Sequence, residues 1–159
     1  DEFAEFTQDS ENPEYVVVGD ARDNFNFANL NKALRLLLKG AKLVGMSPEE
    51  LDASLGEPEL NVGAWVKMLE RASGAPTVYI GKPSRYAFEI TLASMGLEPE
   101  TVIMVGDRVS SDVVGARNAG MRSILIRSGE FQPQHLEGGI QPDYMVDSIQ
   151  NILPIFFPK

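Results

Sequence analysis

The sequence predicts an α/β protein, a parallel sheet flanked by helices. Two observations lead there. Short β-branched runs alternate with stretches of helical spacing along nearly the whole chain. The runs are also apolar without strict alternation, as strands covered on both faces are. Strands separated by helices imply right-handed crossovers, and therefore parallel pairing.

Taken in order, residues 1–14 are a polar leader or linker. YVVV (15–18) reads as a strand closed by Gly19. NLNKALRLLLKG places Leu30, Leu34, Leu37 and Leu38 at helical spacing and stops at Gly40. KLVG (42–45) is a strand, and MSPEELDASLGEPEL (46–60) a loop rich in Pro, Gly and acids. In NVGAWVKMLERASG, Trp65, Met68, Leu69 and Ala72 share one face, with Asn61 as cap and Gly74 as stop. TVYIG (77–81) is the next strand, followed by a helix opened by Pro83 and Ser84 and closed by Gly96. TVIMVGD is a strand beginning at Thr101, SSDVVGARNAG a short helix, and SILI (123–126) a strand. RSGEFQPQHLEGGIQP is a loop, YMV (144–146) a strand, and DSIQNILPIFF a closing helix. Asp147 is expected as that helix's cap, Pro154 as its early end, and Phe156 and Phe157 as a cover for the end of the core.

The chain has 159 residues, no cysteine and a net charge of −9. Disulfides and thiolate metal sites are excluded. The acidic balance disfavours nucleic acid and anionic membrane, both of which need clustered Lys and Arg. A small phosphate ester stays compatible, because one metal ion and one lysine offset its charge locally. Without a long apolar run or a signal-peptide pattern, the expected location is cytoplasmic.

Ligands of parallel sheets sit outside the carboxyl ends of the strands. Asp107 follows Gly106 at such an end, and Lys82 follows TVYIG at another. A carboxylate at that rim suits a hard cation such as Mg²⁺. Asp112 falls in the first turn of the next helix, where an acid also serves the helix dipole. Asp107 equally suits a turn residue bonding its own backbone. Lys82 is not part of a P-loop, since no glycine occupies position 76 and Pro83 follows it. His135, the single histidine, is expected in solvent and Trp65 in the core. Asp20, Arg22 and Asp23 read as a turn after the first strand. Neither G-x-S-x-G nor G-x-G-x-x-G is present after a strand.

Together, VYIGKPSRYAFE, VIMVGDRVSSD and VVGARNAGMRSILIRSGE resemble the haloacid-dehalogenase-like hydrolase superfamily. They are most similar to its branch with a large α/β cap, that of the p-nitrophenyl phosphatases, ribonucleotide monophosphatases and phospholysine phosphohistidine inorganic pyrophosphate phosphatases. The resemblance implies a Rossmann-like hydrolase core, present in part over 76–159, and part of an α/β cap over 15–75. It implies that Lys82 steadies the attacking carboxylate and the phosphoryl group. Asp107 would bind Mg²⁺, and Asp112 would support the metal's water shell or Lys82. In the family the nucleophile lies in an Asp-x-Asp motif on the first strand; this sequence holds no Asp-x-Asp.

The implied function is a Mg²⁺-dependent phosphatase acting on a small phosphorylated substrate through a phosphoaspartate. The sequence, beginning at Asp1, is read as a C-terminal portion lacking the nucleophile and inactive alone. The alternative is a non-catalytic binding or assembly protein on the same scaffold. Either way, self-association or a complementing N-terminal segment is expected, because half a core leaves a sheet edge uncovered. A receiver-like phospho-acceptor domain is a weaker third reading, since VVVGDARD offers only Asp20 and Asp23.

Overall fold

The computed structural model describes residues 5–53 and 56–156. The first four residues of the leader, positions 54–55 of the acidic loop, and Phe157 lie outside them. The chain divides into two compact units, Asp1–Asp52 with Pro58–Ile80, and Ala53–Glu57 with Gly81–Lys159.

The first unit is a three-stranded parallel sheet under two helices. Its strands are β1 (Tyr15–Val18), β2 (Lys42–Gly45) and β5 (Thr77–Tyr79), in the order β1-β2-β5. Val17 stands opposite Val44, and Val44 opposite Val78. α1 (Phe27–Leu38) and α2 (Val62–Ser73) cover one face, where Val18, Leu37, Leu43, Val62, Val66 and Leu69 form the core. Leu43 and Val66 are fully buried, and each such side chain contributes about 1.5–3 kcal/mol. α2 starts and stops where the sequence predicts: Asn61 Oδ1 accepts from Val62 N at 2.7 Å, and Gly74 closes the helix at φ +73°. α1 is capped by Asn26, whose side chain accepts from Asn29 N at 3.0 Å.

Two expectations change here. The loop 46–60 carries a small antiparallel hairpin, β3 (Leu51–Asp52) with β4 (Glu59–Leu60). And β5, expected to open the second domain at residue 76, pairs with β2 and completes the first sheet. The division falls at Ile80–Gly81. β2, α2 and β5 form one crossover unit, and such a unit closes within a single sheet. Sequence pattern identifies a strand but not the sheet it joins.

The second unit is again parallel: β6 (Ile103–Gly106), β7 (Arg122–Ile126) and β8 (Tyr144–Val146), in the order β6-β7-β8. α3 (Arg85–Met95) runs from Ser84 to Gly96, as predicted. The segment after β6 is not a plain α-helix. One π-helical turn, Val109–Val113, leads into α4 (Val114–Asn118). Val109, Val113 and Leu125 are buried against Phe131, Leu136, Ile140 and Met145.

The C-terminal expectation is corrected. Ser148, not Asp147, caps a 3₁₀ turn at Ile149–Asn151, and Pro154 lies inside the short α5 (Leu153–Phe156) instead of ending a longer helix. Proline suits the first turn of a helix, where its missing N–H costs nothing. Phe156 packs edge-on to Tyr144, with ring centroids 5.7 Å apart.

Candidate active site

The candidate residues meet at the carboxyl end of β6. Gly106 ends the strand and Asp107 follows it. The π turn then brings Asp112 back toward the strand end. A Cβ on Gly106 would stand 2.1 Å from Asp112 Oδ2, so only glycine leaves room for that carboxylate. π turns break the regular helical register and are frequent at functional sites.

Asp112 is buried at 3 % exposure, and both of its oxygens are engaged. Oδ1 accepts from Lys82 Nζ at 2.6 Å, and Oδ2 accepts from Arg108 N at 3.1 Å. Lys82 comes from the turn before α3, where Ser84 N donates to Gly81 O at 2.9 Å. Its side chain is half exposed, so the ammonium is anchored at one point and open to a ligand on the other side.

Asp107 is held from the other side, by the loop that leaves β7. Its Oδ2 accepts from Glu130 N at 2.8 Å. Gly129 packs against the same oxygen: it has φ +66°, and a Cβ there would lie 2.0 Å from Asp107 Oδ2. Arg108 Nε donates to Glu130 Oε2 at 2.6 Å, and its Nη2 bonds the same oxygen. Lys82, Asp112, Arg108, Glu130 and Asp107 are thus linked one to the next. Three carboxylates face two cations, leaving one negative charge.

Of the three residues singled out from the sequence, Lys82 and Asp112 are in direct contact, and Asp107 joins them through Arg108 and Glu130. Sequence reasoning missed Arg108, Gly129 and Glu130. The rule that sites gather at strand ends reaches Gly129 and Glu130, which follow β7, but a loop of mixed composition gives no sign of which carboxylate it will clasp. His135 is exposed, as expected, and its Nδ1 accepts from Gln132 N at 3.2 Å. Trp65 is half-buried and stacks on Phe25, with centroids 5.1 Å apart. Arg22 bonds Asp20 at 3.2 Å in the exposed turn after β1.

The donor set suits Mg²⁺ in one particular way. Among the described residues, no three His, Cys, Asp or Glu side chains gather as a closed metal cage. Mg²⁺ does not require one, since it binds through one or two carboxylates and keeps waters and phosphate oxygens. Asp107, with one oxygen committed to Glu130 N, retains the other as a ligand. Asp112 takes one bond on each oxygen, from Lys82 Nζ and from Arg108 N.

Comparison with known proteins bears on the family and the fold. Residues 79–152 match the family model described as HAD-hydrolase-like. The phospholysine phosphohistidine inorganic pyrophosphate phosphatase of Danio rerio is 35% identical over 148 residues, 89% of this chain and 53% of that protein. The haloacid dehalogenase-like hydrolase domain-containing protein 2 of Bos taurus is 38% identical over 120 residues, 76% of this chain and 46% of its own length. The fold superposes on the p-nitrophenyl phosphatase from Archaeoglobus fulgidus with a TM-score of 0.82 at 30% identity, covering 89% of this chain and 56% of that one. The chain therefore spans about half the length of the relatives it matches. No helix among the described residues is long and apolar enough to cross a membrane. With residues 79–152 matching that model and relatives aligned along most of its length, the chain carries a haloacid-dehalogenase-like hydrolase domain.

Proposed function

We propose that these residues form the metal- and phosphate-holding part of a Mg²⁺-dependent phosphatase that hydrolyses a small phosphate ester through a phosphoaspartate. The observation that carries this reading is the 2.6 Å bond between Lys82 and the buried Asp112, beside an Asp107 with one oxygen still available. Lys82 is charged, anchored and half exposed, so it can meet a phosphoryl oxygen without reorganising. In phosphoryl transfer, positioning and charge neutralisation are most of catalysis. Bound at Asp107, Mg²⁺ would neutralise phosphoryl charge as a Lewis acid. Asp112 acts through Lys82, holding the ammonium in place, and is a positioning residue in this reading.

The nucleophilic aspartate is proposed to come from polypeptide outside these 159 residues. β6 is an edge strand of its sheet. A cleft of about 240 Å³ is lined by Phe88, Leu92, Met95, Met104 and Met121, with Lys82 on its wall. An apolar strand laid parallel to β6 would fill it and deliver its terminal carboxylate beside Lys82. The first unit is proposed as part of a cap that shapes substrate choice, in the cytoplasm. The names of the relatives point to small phosphorylated compounds as the substrate class.

The test is turnover of p-nitrophenyl phosphate. The 159-residue chain alone is expected to show none. Supplied with the segment that the relatives carry in addition, it is expected to show Mg²⁺-dependent turnover that is lost on Lys82→Ala. Turnover by the pure chain, or Mg²⁺-dependent turnover indifferent to Lys82→Ala, overturns the proposal.

A further inference from the structure

We infer that Arg108 and Glu130 are a positioning pair that presents Asp107 to its cation. This rests on the reading of Asp107 given above and deepens it. Glu130 does two things at once: its backbone N–H takes Asp107 Oδ2 at 2.8 Å, and its side chain is grasped by two nitrogens of Arg108. Arg108 also does two things: its guanidinium takes Glu130, and its backbone N–H takes Asp112 Oδ2 at 3.1 Å. The two side chains are each 20 % exposed, so the pair lies largely out of solvent. Ion pairs screened by water are worth little, whereas two guanidinium nitrogens converging on one carboxylate oxygen, largely out of water, hold their geometry better.

The loop carrying Glu130 has no regular structure of its own. Ser128–Glu130 leaves β7 through Gly129 at positive φ, against the Asp107 carboxylate. A backbone N–H on such a loop holds a carboxylate in place only if the loop itself is held. The Arg108–Glu130 pair supplies that restraint from the residue next to Asp107. The consequence is directional: Oδ2 is occupied from within the protein, and Oδ1 is the oxygen presented outward. Losing the Glu130 side chain would leave Asp107 in place but free to rotate. With no cluster of three candidate metal-binding side chains among the described residues, a cation held at Asp107 depends on how that carboxylate is oriented.

The experiment uses the ¹⁵N-labelled chain and two readouts. The first is hydrogen exchange of the Glu130 amide. The second is paramagnetic broadening of the Gly106, Asp107 and Arg108 amides by Mn²⁺, a stand-in for Mg²⁺. Glu130→Ala is expected to speed exchange at residue 130 by about tenfold, the effect of losing one charged hydrogen-bonding partner. It should also weaken Mn²⁺ broadening several-fold. Glu130→Gln, which keeps one hydrogen bond to Arg108, should fall between wild type and Ala. Unchanged exchange in Glu130→Ala, with the rest of the spectrum intact, overturns the positioning role. Absence of Mn²⁺ broadening in the wild type, together with an exchange effect in the variant, refutes the cation reading of Asp107 while the restraint stands. A globally altered Glu130→Ala spectrum would show the pair to be a folding element, which also overturns the inference.

Discussion

Two buried polar side chains show how much a single residue's surroundings decide. Asp112 is fully satisfied by Lys82 and by Arg108 N. Asp112→Ala leaves both donors without their acceptor, at a cost of about 1.5–3 kcal/mol. The loss should appear as a lowered urea midpoint at unchanged slope. Tyr79 is the opposite case. Its hydroxyl is buried, with no hydrogen-bond partner among the described residues. Burial pushes its pKa up from the usual 10.0, the nearby Glu70 adds to the rise, and Lys67 opposes it. A folded-state pKa above the unfolded value means that the fold holds its proton more tightly. That contribution is complete below about pH 10 and is lost as pH rises through the folded value. Tyr79→Phe is expected to leave neutral-pH stability unchanged or higher and to flatten the alkaline limb of a stability–pH curve. A steeper alkaline loss in the variant would contradict the assignment.

At the scale of elements, the helix ends were the most legible part of the sequence. Asn61, Gly74, Ser84 and Gly96 stand at the ends predicted for them, because caps and left-handed stops are local chemistry. Asn61→Ala is expected to cost about 1 kcal/mol in a denaturant melt. Partnership in sheets was less legible. Thr77–Tyr79 was recognisable as a strand, yet its neighbour β2 lies more than thirty residues upstream and nothing in TVYIG specifies it. The π turn at Val109–Val113 was also out of reach. It exists because Asp112 must sit in the space above Gly106, a constraint between a strand end and a helix start that periodicity does not express. Within the site, Lys82 and Asp112 were readable as candidates because motif spacing carries them. The loop around Gly129 and Glu130 was not, because its role appears only once β6 and β7 lie side by side.

Among the described residues, both parallel sheets have three strands, and their outer strands pair on one side only: β1 and β5 in one, β6 and β8 in the other. Exposed edges invite pairing with another chain. In the first sheet, the face away from α1 and α2 carries Tyr15, Val17 and Val78, exposed at 48, 46 and 62 %. Sedimentation velocity on the isolated chain is expected to show association that grows with concentration. A single monomeric species over a hundredfold range would count against an incomplete scaffold. The net charge of −9 opposes such association at low ionic strength and should make it stronger as salt is added.

The missing side chain at position 106 gives the rim a built-in vulnerability. Adding one methyl group there would evict the Asp112 carboxylate, and the displacement would pass at once to Lys82 on one side and to the Arg108 backbone on the other. A substitution that changes no charge would thereby set the ammonium loose, so a strand end with no functional group of its own governs where the positive charge of the pocket resides.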